Sequence, residues 1–344
     1  MSRQPFWLIA FCLVLFLLGS PRGTPAAPEH LFKIASLAPE GSVWVNSFKE
    51  FAAEVTEKTG GSVEFRIYPG GVMGDDRAMY RKMRVGQLHG GGFTMTGIAD
   101  IVPDFRIMAI PFLFRSYEEV DQVSRDLQPL FTSRFADKGL HLVAMTEVGF
   151  IYTFSNKPRA TIDDLKLAKA WSPANDPLSA GFLESLGISP ISLTIPDVLS
   201  SLQTGLIDTA FNSLYGSIVL QWFTSAPYVT DQPYGYAYGA FILDGKAFDR
   251  LSEAQRTAVA AAAANHFPDL ISKTRQSNDE SRQVLMERGV TFVPTAAETV
   301  ATLEKHRDLT VEKLVGQAFS EEIYQAAASS LDHLRGTPVG HAQP

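Results

Sequence analysis

The chain has 344 residues, a formal net charge of −7 and one cysteine. Net acidity argues against nucleic acid as a partner, and a lone cysteine excludes a disulfide framework and a cysteine-ligated metal. The length suffices for two domains of ordinary size.

Arg3 gives a positive start, residues 6–18 form an apolar run, and small residues with prolines follow. This is the pattern of a secretory signal, expected to be cleaved after Ala26. The run falls short of the roughly twenty residues that span a bilayer. Removing residues 1–26 takes away Cys12, Arg3 and Arg22, leaving a soluble exported chain of charge −9. The expected location is the periplasm.

Residues 31–36 read as a short strand with Phe32 and Ile34 on one face. Pro39 and Gly41 turn the chain and Ser42 caps a helix whose Trp44, Phe48, Phe51 and Val55 recur as one apolar stripe up to Gly60. Val63, Phe65 and Ile67 alternate with Glu64 and Arg66, a half-buried strand. Asp75 or Asp76 caps the next helix, with Met79 and Met83 inward and a stop at Gly86. Alternating strands and helices predict an α/β fold with a largely parallel sheet. The junction at Gly86, helix into glycine into strand, recurs at Gly205 and hints at two similar lobes.

Ser252 and Gln255 form a capping box that opens an almost unbroken helical composition to Arg288. Roughly 35 residues at about 1.5 Å each would span on the order of 50 Å, enough to bridge two lobes. Pro268 is expected to kink or split that helix. A strand over 290–293 and a helical tail to about Arg335 follow, and residues 336–344 read as frayed.

Catalytic signals are missing. The seven histidines show no HExxH spacing, no Gly-x-Ser-x-Gly elbow occurs, and Gly90, Gly91 and Gly92 lack a phosphate loop's following lysine. Neither an enzyme nor a cofactor is expected. Thr94 and Thr96 fall at a strand end, where α/β sheets place ligand loops. Trp44 and Phe93 suit a cleft wall or a plain core. Phe211, Tyr215, Tyr234, Tyr236 and Tyr238 enrich the second half in aromatics, as in many solute pockets, and Tyr236 is the preferred member.

Several blocks in a fixed order resemble the solute-binding (DctP-type) subunit of TRAP transporters. They are Tyr68 to Arg77 with its glycine turn, Gly97 to Phe105, Ile110 to Tyr117, Ser155 to Pro158, Thr161 to Pro173, and Leu202 to Asp208 followed by Asn212. The likeness runs from about Phe32 to Leu331. It implies a two-lobed periplasmic binding protein fold with crossing hinge strands and a long helix spanning both lobes. Lobe I would hold residues 31–149 plus 238–278, and lobe II 150–237 plus 279–335. The cleft would close on a small-molecule ligand and the receptor would dock on the membrane permease subunits as a monomer or dimer.

The resemblance also places Trp171 where the family normally carries an arginine that clamps the substrate carboxylate, and Ile151 in a segment that often holds a basic or polar residue. An indole has one N–H donor and an apolar face, not a guanidinium fork. The expected ligand is therefore uncharged, aromatic or apolar rather than a typical carboxylate, contacted by Trp171, Asn212, Thr94, Thr96, Ile151, Phe211, Tyr236 and Trp44. The alternative on the same fold is a shuttle for lipid or hydrophobic metabolites.

Overall fold

The computed structural model describes residues 27–336, so the signal expected over 1–26 and the tail from 337 lie outside the described residues. In chain order the strands are β1 (His30–Ser36), β2 (Val63–Tyr68), β3 (Gly90–Thr94), β4 (Leu140–Ser155), β5 (Trp171–Pro173), β6 (Ile191–Leu193), β7 (Thr209–Asn212), β8 (Tyr228–Thr230), β9 (Gly235–Asp244) and β10 (Thr291–Val293). Eight of them form one sheet in the order β10-β8-β4-β9-β3-β1-β2, with β7 also pairing β4, and β5 and β6 form a small parallel pair.

The sheet is mixed, not largely parallel. β1 pairs β2 and β3 in parallel, and β8 pairs β10 in parallel. β9, however, runs antiparallel to both β3 and β4. Only the local strand-helix-strand pieces leave a parallel pattern in the sequence; the long return strands come from distant segments. β4 pairs with β9 over most of its length and with β7 and β8 at its far end, so these two strands cross between the lobes of a curled, two-lobed α/β structure. Register shifts interrupt β4 at Leu142/Ala144 and Glu147/Gly149, and Gly149 has φ of 108°. These irregularities concentrate twist where the strands cross.

Ser42 caps the helix Val43–Lys58 by accepting from the Val45 amide, and its stripe of Trp44, Phe48, Phe51 and Val55 is buried. That stripe packs with Phe32, Ile34, Phe241 and Phe267 in one core cluster. The capping box of Ser252 and Gln255 opens a helix from Glu253 to Glu287. Pro268 does not split it, and at about 1.5 Å per residue it extends on the order of 50 Å. A second cluster around Phe105, Phe131, Phe135 and Tyr238 takes in the C-terminal helix Glu321–Arg335. A third gathers Phe154, Trp171, Trp222 and Val229.

Candidate functional site

A cavity of about 190 Å³ lies beside the crossing strands. Trp44, Thr94, Thr96, Ile151, Trp171, Phe211, Asn212 and Tyr236, the eight residues singled out in the sequence, all line it. The strand ends converge there. β3 runs into Thr94, which caps the short helix Met95–Ile98, and β7 runs into Asn212 just before the helix Leu214–Val219. Close packing at two glycines fixes these turns. A Cβ on Gly97 would lie 2.1 Å from the Asp76 Cβ, and one on Gly216 would lie 2.3 Å from the Asn212 Oδ1.

No lysine, arginine, histidine, aspartate or glutamate lines the cavity among the described residues. Its chemistry therefore rests on neutral groups, and most of these are already spent. The Trp44 indole donates to the Glu147 carbonyl at 2.7 Å, and the Trp171 indole donates to the Leu193 carbonyl at 2.9 Å. Tyr236 donates to the Glu147 carboxylate at 2.9 Å and Tyr238 to the Phe105 carbonyl. Burial, and then the Glu147 charge, push the Tyr236 hydroxyl well above its ordinary pKa, so it stays a neutral donor. Ser179 donates to Asp176.

Among the side chains that line the cavity, the Asn212 amide, the Trp222 indole and the hydroxyls of Thr146, Tyr234 and Ser36 have no protein acceptor. The Asn212 Oδ1 is occupied, accepting from the Ser213 amide at 2.8 Å, which leaves its N–H groups to the cavity. Asn212 and Thr146 are each 8% exposed and Trp222 is 2% exposed, and all three line the cavity. An acceptor on a bound solute could pair with such donors. Thr146 and Trp222 escaped the sequence reading. Thr146 faces the cavity because β4 pairs with β9, and Trp222 sits in a short 3-10 turn without periodic signal.

Behind the first-lobe wall lies a second polar group. Asp75 caps the helix Asp76–Arg84 by accepting from the Ala78 amide, while Asp76 turns inward. The Asp76 carboxylate accepts from the Thr94 amide at 3.1 Å and from the Thr94 hydroxyl at 2.8 Å. Burial pushes the Asp76 carboxyl up to about 6, and the Thr94 hydrogen bonds only partly oppose that. Since the folded pKa lies above the ordinary value of 3.8, the folded state holds this proton more tightly than the unfolded chain does. Stability attributable to Asp76 is full below pH 3.8 and is lost as pH rises through about 6. Asp76→Asn should therefore flatten this slope and gain on the order of 2–3 kcal/mol at pH 7.5 relative to pH 4. Urea melts of both proteins at the two pH values check it; parallel curves would refute it.

The profile of the family described as bacterial extracellular solute-binding protein, family 7 (DctP), matches residues 34–315. A solute-binding protein of Verminephrobacter eiseniae is 28% identical over 284 residues, covering 80% of this chain and 83% of the relative. The fold is similar to that of a sugar acid binding protein from Advenella mimigardefordensis in complex with galactonate. The TM-score is 0.83 at 20% identity, over 89% of this chain and 98% of that one. It is also similar to a Bordetella pertussis extracytoplasmic solute receptor binding pyroglutamic acid. There the TM-score is 0.81 at 20% identity, over 88% of this chain and 99% of that one.

Both of these structures hold acids, which overturns the expectation of an uncharged, aromatic or apolar ligand and, with it, the lipid-shuttle alternative. A missing guanidinium does not exclude an acid, because a carboxylate that accepts two or three hydrogen bonds from neutral donors is well held. The cavity offers such donors.

Proposed function

Since the chain belongs to bacterial extracellular solute-binding protein family 7, the DctP family of periplasmic receptors for TRAP transporters, we propose that it captures a small organic acid. The solute would enter the cavity between the lobes and pass to the membrane permease subunits. The observation that carries this reading is the set of unpartnered donors on Asn212, Thr146 and Trp222 in a cavity whose lining holds no carboxylate. On the resemblance, Trp171 takes the place of the family's clamping arginine. Its N–H is committed to Leu193, so its contribution is an apolar wall, and the carboxylate falls to the donors of Asn212, Thr146 and Trp222. The proposed lobes are residues 31–149 with 238–278, and 150–237 with 279–335, and residues 1–26 direct export.

Native mass spectrometry of the exported chain, followed by titration calorimetry with galactonate and pyroglutamate, tests the reading. A retained or titrated acid at one per chain supports it. Asn212→Ala should weaken that acid roughly 10- to 100-fold, the worth of a hydrogen bond to a charged group. A folded protein that binds neither acid and carries a neutral lipid would sink it.

A further inference from the structure

Hydrogen-bond bookkeeping at the first-lobe wall fixes the direction of one hydroxyl. Thr94 has a single hydroxyl proton, and the Asp76 carboxylate 2.8 Å away, having none of its own, must accept it. The Thr94 oxygen then accepts from the Gly97 amide at 3.1 Å. It also lies 3.2 Å from the Thr96 hydroxyl. With the Thr94 proton already placed, Thr96 is the donor in that pair. Thr96 lines the cavity and is left to offer it lone pairs alone.

We propose that Asp76, acting through Thr94, sets Thr96 as a hydrogen-bond acceptor on the first-lobe side of the cavity, so that the solute presents a hydroxyl there and a second carboxylate is rejected. This rests on the organic-acid reading above and deepens it to hydroxylated monocarboxylates. The acid end goes to the Asn212 side and the hydroxyl end to Thr96. Asp76 and Thr94 are positioning residues, and Thr96 is the residue that meets the solute.

The same chain can run backwards. When Asp76 takes up one proton on Oδ2, that oxygen donates to Thr94. Thr94 turns its own proton to Thr96, and the Thr96 proton is released towards the cavity. Each hydroxyl keeps one proton; only the directions change. Asp76 Oδ1 goes on accepting from the Thr94 amide in both states. The other charged groups around Asp76 are few. Asp75 precedes it on the same helix, and Arg77 pairs with Asp100 from beyond the helix Met95–Ile98. The facing segments 173–175 and 193–195 bring no titratable side chain. Asp76 is therefore the group that reverses the chain, and burial places its titration near pH 6.

Galactonate and galactarate are a matched pair for the test, since they differ only in whether the far end is a hydroxymethyl group or a carboxylate. Calorimetry at pH 8 should show the wild type preferring galactonate by at least roughly tenfold, one hydrogen bond plus the repulsion it avoids. Asp76→Asn preserves the shape, donates to Thr94 and reverses the chain, so the preference should shrink about tenfold. Lowering the wild type to pH 5 should shrink it likewise, with a midpoint near 6. Thr96→Val should weaken galactonate without admitting galactarate. This pattern separates a relay from a merely structural Asp76, which would lower both affinities together. If Asp76→Asn fails to fold, the wild-type pH profile and Thr96→Val still decide. Galactonate binding with a ratio unmoved by pH and by Asp76→Asn overturns the relay and leaves the receptor reading intact. A wild type that prefers galactarate at pH 8 also overturns it. Binding of neither acid by a folded wild type overturns both.

Discussion

Replacing Arg275 by methionine should destabilise the protein by about 3–5 kcal/mol, the usual result of removing one partner from a buried ion pair. Arg275 projects from the long helix Glu253–Glu287 and holds the Glu147 carboxylate at 2.8 to 3.1 Å. It also holds Asp121 and lies 4.3 Å above the Tyr117 ring. Glu147 is 1% exposed, and without Arg275 its charge keeps only the Tyr236 hydroxyl as a side-chain partner. Burial already raises the Glu147 pKa against the opposing pull of Arg275, so the variant should raise it further. The folded state then takes up a proton that the unfolded chain does not, and the deficit should be smaller at pH 5 than at pH 8. Glu147→Gln in the same background should recover part of the loss. Urea denaturation at both pH values measures each effect, and an Arg275 variant as stable as the wild type at pH 8 would exclude this role. Binding should weaken as well, since Glu147 anchors Tyr236 through its carboxylate and Trp44 through its carbonyl.

Trp222→Ala should cost a similar amount, about 3–5 kcal/mol, for a different reason. The Trp222 ring is buried and meets Trp171 edge-on at 5.3 Å between centroids. It packs in the cluster with Phe154, Leu202 and Val229. Truncation loses the transfer energy of the indole and leaves a hole that the neighbours fill incompletely. That hole opens into the cavity and removes the ring supporting Trp171. Trp222→Phe retains most of the packing and deletes the N–H. It should lose less than half as much stability and yet weaken binding of an acid several-fold. Thermal melts with calorimetry on both variants separate the two losses. Unchanged acid affinity in Trp222→Phe would remove the indole from the proposed donor set.

Much of this was legible in the residues. The buried stripe from Trp44 to Val55, the caps at Ser42 and Ser252 and the long helix all follow from local spacing and short-range hydrogen bonds. Eight residues of the cavity wall were reachable because strand ends and aromatic clusters leave marks over a few positions. The antiparallel course of β9 left none, since its partners β3 and β4 lie far away in sequence. For the same reason Thr146 was invisible as a wall residue. Asp76 was read as one of two possible caps, and only packing against Gly97 and Thr94 shows that it turns inward. The ligand class was misjudged because a single strong cation is conspicuous in a sequence, whereas dispersed neutral donors become a group only in three dimensions.

The core cluster that contains Ala35 also contains Leu331, and the carbonyl that the Arg106 guanidinium reaches belongs to Ala318. A ribosome delivers the chain in the amino-to-carboxyl direction, so the early part of that core waits for segments that follow more than 200 residues later. Contacts of such sequence separation carry a large loop-closure cost before they return anything, which makes folding slow. The nascent chain therefore stays unfinished and threadable until the helix Glu321–Arg335 arrives to close that core.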